Sequence, residues 1–509
     1  MSSPGAPAVR RFRLIIGEAQ QGPLISSVVV ATAVCLLGLT VFTNQKLQVV
    51  APLLAAVVVF AITHERLLRW RSQVALIVSV ILFVPMGRYT LPASLPFNLE
   101  PYRVLVAFVA LAWMTSLLID PRVRLRKTPI GPPLVVFTIA VLLSEVANHA
   151  RVAAIQSYVV KQLLFLLSFL VVVYLIVSVV RRFQDVDYVA RVLTGGGAVV
   201  AFFAVIEART GYDVFNHLDV VFPFLHLDVG NLPVIPSRGG RLRVFASAQH
   251  PIALGSAMAM LIPFAIYRAH CYRQRIWWAA ALLLALAALA TGSRTAIVVM
   301  FVGLLVYVWL RPVQVRRFWP ALIPALLAIH FAAPGALGTM KSAFFPKGGL
   351  VAQQTNAAVG SGRLATLWPA LHTEFDPNPL VGEGYGTRVT TRSPDGPRRN
   401  APILDDEWLG ILCQIGLLGT FALVWLFVRL IRRVAPAARE DNARGWFLVA
   451  VIASVAGSFA SMFFYDAFSF IQVTFMIFIV MGLGVCAFLA TDPAAYAPVA
   501  ARGSTARRW

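Results

Sequence analysis

Long apolar runs alternate with short polar segments along almost the whole chain. A helix needs roughly 20 mostly apolar residues to cross the hydrocarbon core of a bilayer. The pattern therefore predicts an all-α integral membrane protein with about 14 transmembrane helices, or 12 to 14, because two pairs of runs are tightly joined. The runs are 24–42, 47–63, 73–88, 103–119, 130–147, 155–180, 188–207, 250–268, 275–290, 293–310, 317–333, 406–430, 446–463 and 467–489.

Two polar segments, 208–249 and 334–405, are too long to be turns between spans. Long loops usually carry function. The chain therefore divides into seven segments. They are an N-terminal tail (1–23), a first helix group (24–207), a first loop (208–249), a central helix group (250–333), a large loop (334–405), a last helix group (406–489) and a C-terminal tail (490–509).

Basic residues orient these spans, since Lys and Arg collect in the cytoplasmic loops of membrane proteins. With the N-terminus inside, 26 basic residues fall in inside segments and five in short outside loops. We therefore predict a multi-pass protein of the cytoplasmic (inner) membrane, with both termini in the cytoplasm and both long loops outside.

Composition narrows the class further. The chain is 59% hydrophobic and only 13% charged, which excludes an ordinary soluble domain and a disordered protein. The net charge of +22 is explained by topology, so no nucleic-acid partner is expected. The four cysteines form no CxxC pair, and no P-loop, GxSxG or HExxH motif occurs. No metal site and no ATP-driven machinery are expected.

Several short motifs cluster in the predicted outside segments and at the ends of nearby spans. In chain order they are Arg243, His250-Pro251, Thr291-Gly292-Ser293-Arg294, Ser361-Gly362-Arg363, Trp368, Asn378-Pro379-Leu380-Val381-Gly382-Glu383-Gly384-Tyr385-Gly386, Leu404-Asp405-Asp406-Glu407 and Gln414-Ile415-Gly416-Leu417-Leu418-Gly419. This succession resembles the O-antigen ligase and O-antigen polymerase superfamily of bacterial membranes, over roughly residues 243–485.

The resemblance implies a GT-C-like helical fold and a glycosyltransferase that needs no metal or cofactor. It implies an undecaprenyl-diphosphate-linked oligosaccharide as donor, an acceptor glycan or lipid, and membrane lipids as surroundings. In the ligases the helix after the large loop usually opens with His-Asn, eleven residues before the glycine corresponding to Gly416. Here that position is Asp405. This departure favours a polymerase-like branch, and the choice between polymerase and ligase stays open.

The reaction releases a diphosphate, which arginine side chains bind well. We predict Arg243 and Arg294 as catalytic residues that stabilise it, and Asp405 with Asp406 as the carboxylates that accept a proton from the acceptor hydroxyl. Predicted substrate-binding residues are Arg363, His250, Arg241, Tyr385 and Lys161.

Purely structural roles are the alternative for several of these residues. Asp405 is suited to cap the helix that follows it, and Asp406 and Glu407 to its first turn. His250 fits a structural role at a span entrance, and Lys161 an ion pair with Glu145. Asp466 is adequately explained by a polar turn.

Two other functions remain as alternatives. A lipid-linked oligosaccharide flippase can have a similar number of spans, but it should line a cavity with charges from many spans and have short loops on both sides. A scaffold whose outer loops bind another protein would tolerate replacement of Asp405, Arg294 and Arg243.

Overall fold

The computed structural model of the chain describes residues 69–91, 99–120, 123–231, 242–318, 363–390 and 398–496, together with the single positions 320, 327, 338 and 349. The predicted spans at 24–42, 47–63 and most of 317–333 lie outside the described residues, as does Arg241. The described part is mostly helical, with almost no strands.

Eleven long helices form the body of this part. They are α1 (Trp70–Phe83), α2 (Pro101–Ile119), α3 (Gly131–Ala147), α4 (Gln156–Val179), α5 (Phe183–Thr210), α6 (Pro251–Tyr272), α7 (Arg275–Ala290), α8 (Arg294–Leu310), α9 (Glu407–Ala438), α10 (Ala443–Ser461) and α11 (Ile471–Leu489). Each coincides with one of the predicted apolar runs. Seven are long and apolar enough to cross a membrane, and α1, α3, α7 and α8 are shorter but also apolar.

Short elements connect the long helices. Strands β1 (Tyr89–Thr90) and β2 (His226–Leu227) pair antiparallel. The short helices are His149–Ala154, Leu218–Val221, Pro312–Phe318, Arg363–Ala370 and Pro493–Tyr496; 3₁₀ turns cover Val214–His217, Val229–Asn231, Met462–Phe464 and Ala467–Ser469, and a π-helical turn covers Leu371–Phe375.

The centre of the bundle is α11, whose apolar residues are almost all buried. Helices α4, α6 and α10 pack against it. Helix α2 lies at the periphery, and its exposed side chains include Phe108, Leu111 and Met114. Because lipid is as apolar as these side chains, such a surface is what a membrane-embedded bundle presents.

Polar contacts between distant segments divide the helix ends into two groups. At one end, Arg71 pairs with Asp185, Phe183 N donates to Asp492, and Arg268 pairs with Asp187. We call this the short-loop end.

At the other end, the long-loop end, Arg88 pairs with Asp213, and Ile471 N donates to Gln249. From α1 to α8, and again from α9 to α11, successive long helices alternate between the two ends, as they do in a multi-pass membrane protein. The long-loop end is the one that the charge pattern assigns to the outside.

Candidate active site

A break in α9 organises the long-loop end. Gly416 has φ 67° and ψ −163°, a combination that is open essentially only to glycine. A Cβ atom there would lie 2.4 Å from the carbonyl carbon of Leu380. The backbone of the Asn378–Gly386 motif therefore lies directly against the break.

The loop replaces the helical hydrogen bonds that the break removes. Leu417 N donates to the Pro379 carbonyl (2.9 Å) and Leu418 N to the Leu380 carbonyl (3.2 Å). In the other direction, the Cys413 and Gln414 carbonyls accept from the amides of Glu383 and Gly384, both at 3.0 Å. We call residues 379–386 and 413–418 the glycine junction. It explains the glycine motif, because unpaired backbone groups are costly when buried.

Side chains from two helices lock the junction. Ser144 Oγ, on α3, donates to the Gln414 carbonyl (2.8 Å) and accepts from Gly384 N (3.1 Å). Asn148 Nδ2 donates to the Gly382 carbonyl (2.9 Å), and Gln414 Oε1 accepts from Gly386 N (2.7 Å). Gln414 thus holds the loop by its side chain and its backbone.

Two ion pairs fasten the same loop at its edges. Arg388 is buried, bonds the carboxylate of Glu374, and donates to the Pro402 carbonyl at 3.0 Å. Arg151 Nη1 lies 2.6 Å from Glu383 Oε2. The π-helical turn, the glycine junction and the segment before α9 therefore form one connected unit.

Four carboxyl groups gather where α9 begins. Asp406, not Asp405, is the N-cap: its side chain accepts from Leu409 N (3.2 Å), which corrects the capping role considered for Asp405. Asp406 N donates to Asp466 Oδ1 (3.1 Å), and the buried Glu407 accepts from Phe468 N (2.9 Å). Asp466, which we expected to be only a turn residue, is thus part of this acidic cluster.

Asp405 and Asp466 are the chemically distinctive members of the cluster. Asp405 has φ 51°, in the left-handed region that Asp tolerates better than most residues. Burial, together with the negative charge of Asp405, raises the pKa of Asp466 to about 6. Among the described residues no group of three or more His, Cys, Asp or Glu side chains is arranged to hold a metal ion.

The two predicted catalytic arginines meet at one turn. Arg294 is the first residue of α8, and Ser293 is the N-cap residue. The buried Arg243 donates from Nε to the Thr291 carbonyl (3.1 Å), at the start of the same turn. This hydrogen bond fixes the orientation of the Arg243 guanidinium beside the turn that carries Arg294.

The first turns of α6 contact both the arginine turn and the hairpin that carries Asp466. A Cβ atom on Gly255 would lie 2.8 Å from Thr291 Oγ1, so α6 packs closely on the arginine turn. On the other side, His250 stacks on Phe470 with ring centroids 5.5 Å apart, and the Tyr465 hydroxyl lies beside Ser256. His250 is also the N-cap of α6, because its Nδ1 accepts from Ile252 N.

A buried polar cluster that we did not predict holds the segment carrying Arg243. Arg88 Nη1 bonds Asp213 (2.9 Å), its Nη2 donates to the Ala248 carbonyl, and its guanidinium lies 4.4 Å from the Phe245 ring centroid. Glu207 accepts from the amides of Phe245 and Ala246. In the sequence, Arg88 is one arginine in a short outside loop, and we had used it only to orient the spans.

The remaining predicted residues are dispersed. Tyr385 is buried, with 5% of its surface exposed. Lys161 is exposed on α4 and, although both residues are described, forms no ion pair with Glu145. Arg363 begins its short helix, but its side chain is not described. These substrate-binding assignments stay predictions.

Residues 279–424 match a family model described as O-antigen ligase. No curated protein matches the chain. The matched stretch contains Arg294, Asp405, Asp406 and the whole glycine junction. This match over residues 279–424 supports the resemblance to the O-antigen ligase superfamily that the sequence motifs indicated.

Proposed function

We propose that the protein is a membrane glycosyltransferase of the O-antigen ligase/polymerase type. It transfers or polymerises glycan from an undecaprenyl-diphosphate-linked donor, at the outer face of the cytoplasmic membrane, for surface polysaccharide biosynthesis. The observation that carries the proposal is that the first turns of α6 contact both the turn that holds Arg243 and Arg294 and the hairpin that carries Asp466.

We assign stabilisation of the diphosphate leaving group to the arginine turn. When the bond between the anomeric carbon and the phosphate oxygen breaks, its electron pair passes to the diphosphate, which gains negative charge. Preorganised cations aimed at such charge lower the barrier, and more so where water is excluded. Arg243 is 7% exposed and oriented by its hydrogen bond, which suits it to this role.

The attacking hydroxyl is assigned to the acidic side. Its oxygen forms the new bond to the anomeric carbon while its proton passes to the Asp405 carboxylate. The left-handed backbone of Asp405 supports this role, because a non-glycine residue in that region is strained and such residues concentrate at active sites. Asp406 and Asp466 hold the start of α9 in place. Attack opposite the leaving group inverts the anomeric carbon.

Replacement of Asp405 by asparagine should abolish most transfer. A positioned general base contributes roughly 10²–10⁴-fold to rate, so we expect a loss in this range. Asparagine is nearly the same size and also tolerates the left-handed backbone. The measurement is the profile of lipid-linked glycans in the native bacterium, with the amount of variant protein in the membrane determined in parallel.

The accumulated species separates the possible functions. Single repeat units on the outer face indicate a polymerase, and long lipid-linked chains there indicate a ligase. Units trapped on the cytoplasmic face indicate a flippase and would overturn the proposal. An unchanged profile would remove Asp405 from the mechanism, and unchanged profiles for Arg294 and Arg243 variants as well would indicate a scaffold. Asp228→Asn, in the first loop, is a control expected to keep the normal profile.

The titration of Asp466 predicts that transfer activity falls at acid pH. Its pKa is raised to about 6, so the folded protein binds this proton more tightly than the unfolded chain does. The protonated carboxyl of Asp466 therefore adds to the free energy of unfolding at low pH. This contribution is lost as the pH rises from the ordinary pKa of an aspartate towards about 6. Transfer requires the ionised cluster, so activity should rise to a plateau above about pH 6. The measurement is the pH–rate profile in proteoliposomes.

The control for this fall in activity is Asp466→Asn. The amide oxygen can still accept from Asp406 N, but the group no longer titrates. Because asparagine resembles the protonated carboxyl, transfer by the variant should stay at the low level of the acid form across the pH range, with no rise near pH 6. An unchanged fall at acid pH would show that another group controls the pH dependence.

A further inference from the structure

An exposed aromatic stack lies on the large loop, outside the residues used above. Trp368 is 64% exposed, and its ring stacks on His372 with centroids 5.7 Å apart and an interplanar angle of 16°. His372 Nδ1 lies 2.8 Å from Asp376 Oδ2. We call Trp368, His372 and Asp376 the Trp368 platform. It offers a flat apolar surface with a polar pair beside it.

The platform is built on an irregular helix. The helix Arg363–Ala370 continues as the π-helical turn Leu371–Phe375, a type of turn that is frequent at functional sites. Thr373 Oγ1 donates to the carbonyl of Pro369 (2.6 Å) within this turn. The spacing of four residues then brings Trp368 against His372 and His372 against Asp376.

The inner side of this helix packs on the segment that leads to the proposed base. Ala370 is buried in one apolar cluster with Leu404, Leu409 and Cys413, and Leu404 directly precedes Asp405. Glu374 adds its ion pair with Arg388, which also bonds the Pro402 carbonyl. The platform and Asp405 therefore belong to one packed unit.

We propose that the Trp368 platform is a carbohydrate-binding subsite that holds the acceptor glycan beside Asp405. This inference rests on the proposed function. The C–H face of a pyranose ring packs on the indole, and sugar hydroxyls exchange hydrogen bonds with the imidazole and the carboxylate. The polar pair favours a sugar over lipid chains, because burying it in hydrocarbon would be costly. The acceptor fits better than the donor, whose diphosphate is assigned to the arginine side of α6.

A binding measurement tests the subsite apart from the chemistry. The probe is the free repeat-unit oligosaccharide, released by mild acid from the lipid-linked material that accumulates in the Asp405→Asn strain. It lacks the diphosphate, so its affinity should not depend on Arg294. Calorimetry with Asp405→Asn protein in nanodiscs gives the reference Kd. Adding Trp368→Ala should weaken binding roughly five- to tenfold, the value of an aromatic contact of about 1 kcal/mol.

Matched variants complete the test. Trp309→Ala removes a comparably exposed indole at the short-loop end and should leave the Kd unchanged, while Trp368→Tyr should restore most of the affinity. Equal Kd values for the reference and Trp368→Ala would overturn the subsite while leaving the proposed function intact. If no lipid-linked glycan accumulates in the Asp405→Asn strain, the proposed function fails and the subsite fails with it.

Discussion

Replacing Gly416 by alanine should eliminate glycan transfer, although the residue touches no substrate. The new Cβ would lie 2.4 Å from the Leu380 carbonyl carbon, which is backbone and cannot rotate away. This backbone conformation is itself strained for alanine, at roughly 1–3 kcal/mol. Relieving the clash breaks the bonds from Leu417 and Leu418 to the loop, each worth roughly 1 kcal/mol.

The large loop should therefore leave α9 and move away from Asp405. Because the junction is reciprocal, Gly382→Ala should have the same effect: its Cβ would lie 2.4 Å from the Gln414 carbonyl carbon. Gly410→Ala is the matched control in the same helix, since the nearest atom to its Cβ would be 3.9 Å away. Alanine also favours the helix there, so this variant should be as stable as the parent or slightly more stable.

Limited proteolysis of the large loop, transfer activity and the melting temperature in detergent provide the measurements. The Gly416 and Gly382 variants should be cleaved faster and be inactive, unlike the Gly410 variant. Normal activity in Gly416→Ala would show that the junction is dispensable for catalysis.

Replacing Arg88 by alanine should cost about 3–5 kcal/mol of stability, because it leaves a buried carboxylate without its partner. Arg88 is 1% exposed and Asp213 is 7% exposed. Burial raises the pKa of Asp213, and Arg88 opposes that rise. Without the arginine, Asp213 is expected to take up a proton, which limits but does not remove the penalty. The melting temperature of purified protein measures the loss.

The exposed pair Arg71–Asp185 provides the comparison. Arg71 is 37% exposed, and an ion pair of that kind contributes at most about 1 kcal/mol. Arg71→Ala should therefore change the melting temperature little. In Arg88→Ala, transfer should fall as well, since Phe245 and Ala248 lose contacts that hold the segment carrying Arg243. A small stability change would contradict the buried-pair interpretation.

Hydropathy alone predicted the helices well but could not show how one of them is interrupted. Ile415, Leu417 and Leu418 continue the apolar run on both sides of Gly416, so the pattern gives no sign of the positive φ. The break depends on a loop more than 30 residues earlier in the chain. Local apolar periodicity carries no information about a partner at that distance.

The sequence identified some residues of the candidate site and missed others, for a related reason. Charge in an unfavourable position identified Arg243 and Arg294, and the structure brings them to one turn. Asp466, Arg88 and Glu207 were missed because single polar residues near span ends are ordinary in a sequence. Their meaning comes from burial and from partners 38 to 160 positions away.

The glycine junction also affects how such proteins can diverge. Its four central hydrogen bonds join backbone to backbone, so they place few demands on the side chains of Pro379, Leu380 and Glu383. Glycines are required at 382 and 416, where a Cβ atom would lie 2.4 Å from the facing backbone, whereas the side chains of Pro379 and Leu380 take no part in these bonds. Distant homologues are therefore better recognised by the spacing of two glycines than by overall identity.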